Sequence, residues 1–139
     1  MTLISVRKPW LYAPRHVAEY SQKQGCVFCA ISRGDSPAKV LDGGAQALII
    51  EPLNPVTPGH VLVIPHVHID DFTDGDGHVA AATMRVASAY AADLGGPCNL
   101  ITSKGPEATQ TVPHLHLHIV PRREGDGLAL PWTGQERTQ

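Results

Sequence analysis

The sequence predicts an α+β domain, and three observations carry that prediction. Residues 78–94, HVAAATMRVASAYAADL, are rich in alanine; Val79, Thr83, Val86, Tyr90 and Leu94 share one helical face, and Gly95-Gly96 supplies a stop. The runs AQALIIE (45–51) and HVLVIP (60–65) are apolar and β-rich, whereas the PLNPVTPG between them carries three prolines and must be irregular. Two strands so placed form an antiparallel pair with a long connection. Finally, TVPHLHLHIVP (111–121) alternates polar and apolar residues with the period of two expected of a half-buried strand.

The remaining elements follow in chain order. Residues 1–25 are mixed and polar, with Pro9, Pro14 and a short helix expected near Val17 to Gln22. From Val27, VFCAI starts a short helix that ends near Gly34, because RGDSP is turn chemistry. Val40-Leu41 leads to a turn at Asp42-Gly43-Gly44, and Asp70 to Gly77 is an acidic, Gly-rich loop or helix start. Asn99 to Thr102 reads as a further strand and SKGPEATQ as a loop. The tail from Arg122 is polar and Gly-rich, with Leu128, Leu130 and Trp132 as an apolar group that needs a surface to dock on.

A length of 139 residues fits one domain with a real core. With 42% hydrophobic and 17% charged residues, the composition argues against intrinsic disorder. The net charge of -2 gives no support to a nucleic-acid partner bound by phosphate neutralisation. Nothing in the sequence approaches the ~18–20 apolar residues of a membrane span, and MTLISVRKPW lacks the apolar stretch of a secretory signal. Three cysteines, an odd count, point away from disulfides, so a cytoplasmic protein is expected. Cys26 and Cys29 form a C-x-x-C pair, a spacing that lets both thiolates reach one tetrahedral ion. A redox role for the pair lacks its usual βαβ context.

Histidine is the unusual residue: there are eight, three of them at alternate positions. On a strand, alternate side chains share a face, about 6.6 Å apart. His114, His116 and His118 therefore line one face, while Leu115, Leu117 and Ile119 bury the other. Imidazole is a nucleophile and proton carrier near neutral pH and also the commonest metal ligand, so the row fits either covalent catalysis or metal binding.

HLHLHIV at 114–120 resembles the His-φ-His-φ-His-φ-φ signature of the histidine triad (HIT) superfamily of nucleotide hydrolases and transferases, where φ is apolar. The resemblance extends over CVFCAISRGDSPAKVL (26–41), NPVTPGHVLVIPHVHI (54–69) and QTVPHLHLHIVPR (110–122), in the family's order. It implies a HIT-like fold: an antiparallel sheet of about five strands with one long and one short helix, the sheet extended across a homodimer. The HIT domain would span 26–122, between an N-terminal extension at 1–25 and a C-terminal tail at 123–139.

By the same resemblance, His116 is the nucleophile that attacks the α-phosphorus of a purine nucleotide, giving a nucleotidyl-histidine that water hydrolyses. The implied substrates are nucleoside phosphoramidates or dinucleoside polyphosphates. His114 belongs to the catalytic row, His118 contacts the phosphate, and Gln110 and Thr111 match the pair that assists the leaving group. Ser103 stands where the family carries asparagine and keeps one hydrogen-bond donor. Phe28, Ile31, Ile50 and Leu53 match the apolar slot for the base, and Pro52 occupies the position of the ribose-binding aspartate, with Glu51 adjacent. Cys26, Cys29, His68 and His114 match the ligands of a structural zinc in a subset of the family; His66 is a competing ligand candidate. No organic cofactor, nucleic-acid polymer or membrane partner is implied. His16, His60 and His78 receive no special role. Two other functions stay open: a zinc-dependent hydrolase that uses the histidine row as catalytic ligands, and a non-catalytic nucleotide-binding adaptor.

Overall fold

In the computed structural model, residues 22–132 are described; His16 and all of the helix expected near Val17 to Gln22 except Gln22 itself lie outside them. Helix α1 (Val27–Arg33) is followed by strands β1 (Lys39–Gly43), β2 (Ala47–Glu51) and β3 (Val61–Pro65). Helix α2 (His78–Leu94), β4 (Cys98–Ile101), a 3₁₀ turn at Pro106–Ala108 and β5 (Leu117–Pro121) complete the chain. The strands form one sheet in the order β1-β2-β3-β5-β4, every pairing antiparallel. The expected α+β architecture, with five strands, one long helix and one short one, is the observed one.

Both faces of this sheet are covered, which explains why β2 and β3 read as continuous apolar runs. Val61 and Val63, opposite Ile119 and Leu117, point to the α2 side, where Val79, Ala80, Val86, Ala87 and Tyr90 pack on them. Leu48, Ile50, Leu62 and Ile64 face the other way, against Phe28 and Ile31 of α1. Thr83 is buried within α2, and its hydroxyl donates to the Val79 carbonyl one turn earlier at 2.7 Å. Helix α1 stops at Gly34, whose φ of 83° is open to glycine at little cost, and the Gly34 N–H donates to the Ile31 carbonyl. Among the described residues no helix is long and apolar enough to cross a membrane.

Three local expectations change. Strand β1 runs on through Gly43, where a turn was expected; a register shift between Val40 and Asp42 turns Leu41 outward and lets pairing continue to Gly43 opposite Leu48. The segment 103–110, expected as a loop, contains the 3₁₀ turn at Pro106–Ala108. The ladder of the histidine strand begins only at Leu117, not at Thr111. Pro113 has no N–H to offer a neighbour, the His114 N–H closes locally on the Val112 carbonyl, and the Leu115 N–H bonds the Ile69 carbonyl. Alternation survives without the ladder, since Leu115 joins Leu117 and Ile119 in the α2-side core.

The tail leaves β5 through Arg122, whose guanidinium grips both oxygens of Asp126 at 2.7 and 3.0 Å and also reaches Asn99 and the Leu128 carbonyl. These charge-assisted bonds hold the Asp126 carboxyl well below the usual carboxylate range. Trp132 lies exposed beyond them rather than docked. Ile64 is fully buried on the α1 side. Ile64→Ala is expected to lower unfolding free energy by about 2–5 kcal/mol, read as a shifted urea midpoint with unchanged slope.

Candidate active site and metal centre

Four side chains from three separated segments converge at the N-terminal end of α1. The potential ligand atoms of Cys26, Cys29, His68 and His114 all lie within 4.8 Å of one another. Cys29 Sγ is 3.3 Å from His68 Nδ1 and 3.5 Å from His114 Nδ1; Cys26 Sγ is 3.4 Å from His114 Nδ1, and the two Nδ1 atoms are 3.1 Å apart. The outer nitrogens are committed elsewhere: His68 Nε2–H donates to Asp70 at 2.9 Å and His114 Nε2–H to the Pro65 carbonyl at 2.9 Å. Both Nδ1 atoms therefore turn unprotonated lone pairs inward, a juxtaposition that a cation would relieve. The Lys23 N–H donates to Cys29 Sγ from outside the group.

Burial dominates the protonation of these groups. It pushes the Cys29 thiol up to about 11, with the neighbouring Cys26 adding to the rise against the Lys23 hydrogen bond. Burial likewise brings His114, which is 0% exposed, down to about 4, with the Pro65 carbonyl working against it. The cluster can hold a metal ion, which would displace the thiol protons and neutralise the inward lone pairs.

The rest of the histidine row lies outside this cluster and has other partners. His116 Nδ1–H donates to the backbone carbonyl of His114 at 2.8 Å. That bond fixes the tautomer and leaves Nε2 as the free lone pair. Thr102, at the end of β4, donates its hydroxyl to the His116 carbonyl at 2.9 Å and so ties this irregular stretch to the sheet. Burial keeps His116 below the ordinary imidazole range, opposed by its own bond to the His114 carbonyl. The residue is thus a neutral imidazole at pH 7, the form that can act as a nucleophile.

His118 has an unanticipated partner in His60. The Val56 N–H donates to His60 Nδ1 at 3.1 Å, which places the His60 proton on Nε2; that N–H donates to His118 Nδ1 at 2.9 Å. His118 is left with its own proton on Nε2, as a neutral donor. His60 sits one residue before β3, whose register puts Leu62 opposite His118, so His60 shares the face of the row. Its place in the Gly59-His60 turn had suggested no role; knowledge of the β3–β5 register would have revealed it. Gly59 is constrained too, with φ 86° and a hypothetical Cβ only 3.0 Å from Pro121 Cγ.

The other expected residues divide. Phe28 meets both His114 and His116 edge-on, at ring-centroid distances of 5.7 and 5.2 Å, and packs with Ile31 and Ile50 beside the row. Leu53 does not join them: it is 99% exposed in the proline-rich loop. Ser103 is half-buried in the segment after β4, and Thr111 is exposed ahead of β5. Gln110 spends its amide on backbone, accepting from the Gly105 N–H and donating to the Asp70 and Val112 carbonyls. Glu51 is engaged across the β1–β2 pair with Lys39 at 2.6 Å, so it is not a free substitute for a ribose-binding aspartate. His66 does not compete for the metal cluster. β3 has ended at Pro65, and buried His66 accepts from the Ser32 hydroxyl at 2.6 Å while donating to the Gly44 carbonyl at 2.7 Å.

The His60–His118 pair has a pH signature. Burial, then the neighbouring His116 and His60, brings His118 down to about 4, and burial lowers His60 as well. Unfolded histidines protonate near pH 6.5. The pair's contribution to stability is therefore complete above about pH 6.5 and declines as pH falls from there toward 4. Thermal melts across that window are expected to show a falling midpoint, with a shallower fall in His60→Phe, which has one fewer imidazole to protonate.

The HIT domain family profile matches residues 33–125. A HIT-like protein of Mycobacterium tuberculosis is 38% identical over 111 residues, 76% of either chain. The adenylylsulfatase HINT3 of Arabidopsis thaliana is 36% identical over 74% of this chain and 55% of its own length. The adenosine 5'-monophosphoramidase HNT1 of Saccharomyces cerevisiae is 27% identical over 94% of this chain and 84% of its own. Among solved structures, a zinc-bound histidine triad protein from Mycobacterium smegmatis superposes with a TM-score of 0.66 at 40% identity, over 76% of this chain and 80% of that one. With the row, its neutral imidazoles and the fold around them, these likenesses lead to one conclusion: the chain belongs to the histidine triad family.

Proposed function

We propose that the chain is a nucleotide hydrolase that cleaves at the α-phosphate of a nucleoside phosphoramidate or dinucleoside polyphosphate, through a nucleotidyl-His116 intermediate. The bond from His116 Nδ1–H to the His114 carbonyl carries the proposal, because it presents an unprotonated Nε2. The relatives add chemistry: one is named an adenylylsulfatase and one an adenosine monophosphoramidase, and both substrates join a leaving group to an adenylyl phosphorus. In the first step the Nε2 lone pair forms a bond to phosphorus while the bond to the leaving group breaks, and that group departs with a proton taken from solvent, to which the water of the second step returns one. Water then attacks the phosphorus, the phosphorus–nitrogen bond breaks, and neutral His116 returns. His118 Nε2–H is the donor for a phosphate oxygen, and Phe28, Ile31 and Ile50 offer the base an apolar wall. Thr111 and Ser103 are the hydroxyls assigned to the leaving group.

The metal of the four-residue cluster is proposed to be zinc. Bonds of about 2.0–2.1 Å to nitrogen and about 2.3 Å to sulfur set tetrahedral ligand–ligand edges of roughly 3.3–3.8 Å. The edges from His114 Nδ1 to Cys26, Cys29 and His68, at 3.4, 3.5 and 3.1 Å, come close to that without rearrangement. Four protein ligands leave no open position for substrate, so zinc supplies cross-linking: α1, the segment after β3 and the catalytic row become one rigid unit. A hydrolase with the whole row on a catalytic metal is less well supported, because His116 and His118 are bonded to other partners.

His116→Ala is expected to lower turnover of an adenosine phosphoramidate by a factor on the order of 10³ or more, with zinc content unchanged by metal analysis. Acid quenching of wild type with labelled substrate should trap an acid-labile adduct on His116. Loss of activity on chelation from a protein that keeps its fold would instead favour a catalytic metal.

A homodimer joined through β4 completes the proposal. This strand ends the sheet, with Leu100 and Ile101 exposed on it, and a second copy would continue the ladder. Sedimentation should return twice the chain mass, and Leu100→Lys the single mass.

A further inference from the structure

We infer that Asp70 and Gln110 form a strut that couples the metal centre to the loop ahead of the catalytic row, and that both are positioning residues. This inference rests on the zinc reading of the Cys26, Cys29, His68 and His114 cluster. Asp70 is occupied from both ends: its carboxylate accepts from His68 Nε2–H at 2.9 Å, and its backbone carbonyl accepts from the Gln110 amide at 2.6 Å. The same Gln110 amide accepts from the Gly105 N–H at 2.8 Å and donates to the Val112 carbonyl at 3.2 Å. The Gln110 N–H returns to the Gly105 carbonyl, which closes the segment 105–110 into a bonded ring. Lys104 adds a second tie, from its ammonium to the Thr73 hydroxyl at 2.9 Å. Gln110 touches none of the four potential ligands, yet it is two bonded contacts away from His68.

The Asp70 carboxylate does what outer carboxylates do at metal-bound imidazoles. It fixes the tautomer that leaves Nδ1 free for the metal and holds the ring in orientation. Its side chain is 54% exposed, so solvent competes and the expected effect lies at the low end of the usual range. The backbone half of the strut transmits order instead of charge. When zinc holds His68, the 68–70 segment is fixed, and Gln110 gains an immobile acceptor. That in turn holds Ser103 and Thr111, which flank the bonded ring on either side. Coupling of this kind is reciprocal: if zinc orders the loop, an intact loop must tighten zinc.

Chelator competition and amide hydrogen exchange on the full chain test this. Asp70→Asn, which keeps the backbone carbonyl and loses the charge, is expected to weaken zinc about tenfold. Gln110→Ala, remote from every ligand, is expected to weaken it about fivefold. In wild type, stripping zinc should accelerate exchange at Gly105 and Gln110 at least several-fold more than at the β2 and β3 amides. Zinc affinity unchanged in Gln110→Ala, or exchange that rises equally in sheet and loop or not at all, would overturn the strut. A wild type that binds no zinc would remove the metal reading and the strut together, a result distinct from a bound zinc without coupling.

Discussion

His114 is the residue on which the site depends, because three of its groups serve three different neighbours. Its Nε2–H is anchored on the Pro65 carbonyl at the end of β3, its Nδ1 faces the two thiols and His68, and its backbone carbonyl orients His116. The ring is fully buried, so each of these bonds is made in a low-dielectric interior where an unpaired polar atom would be costly. Rotation of His114 would disturb the metal cluster and the tautomer of His116 at once. A metal on His114 would thus be two bonds from the His116 imidazole.

Much of this was legible in the primary structure because burial in a sheet imposes period two. Leu115, Leu117 and Ile119 belong to one core, and that placement forces His114, His116 and His118 to the other side. The C-x-x-C spacing also translated well, since Cys26 and Cys29 sit one turn apart at the start of α1. Helix α2 was visible from its apolar stripe and its terminal glycines. In each case the signal is local, set by residues within a few positions of one another.

What could not be read depends on contacts between distant segments. His60 lies 58 positions from His118, and only the register of β3 against β5 makes them partners. His66 and His68 are two apart and chemically identical, yet one turns to Ser32 and Gly44 and the other to the thiols, because the strand stops at Pro65. Period-two reasoning would have kept them on one face. Gln110 matched a substrate-contacting position by motif, but its amide is consumed by backbone groups of its own loop and of Asp70. Leu53 matched the family's base slot by position, and a loop with three prolines carries it into solvent.

The electrostatics of the row give these separate facts a common sense. Burial lowers the basicity of His114, His116, His118 and His60, and neighbouring imidazoles add to the effect at His114 and His118, so the site presents lone pairs and polar N–H groups instead of fixed cations. A cationic row would attract phosphate more strongly but would have no free lone pair to attack with. Neutrality leaves the lone pair of His116 Nε2 in place, as the proposed attack on phosphorus requires. Negative charge close to His118 favours its protonated form and raises its pKa from about 4. A second proton on His118 would sit on Nδ1 and meet the His60 Nε2–H head-on, so the bond between the two rings and a cationic His118 exclude one another, while His116, restrained by the His114 carbonyl, keeps Nε2 unprotonated.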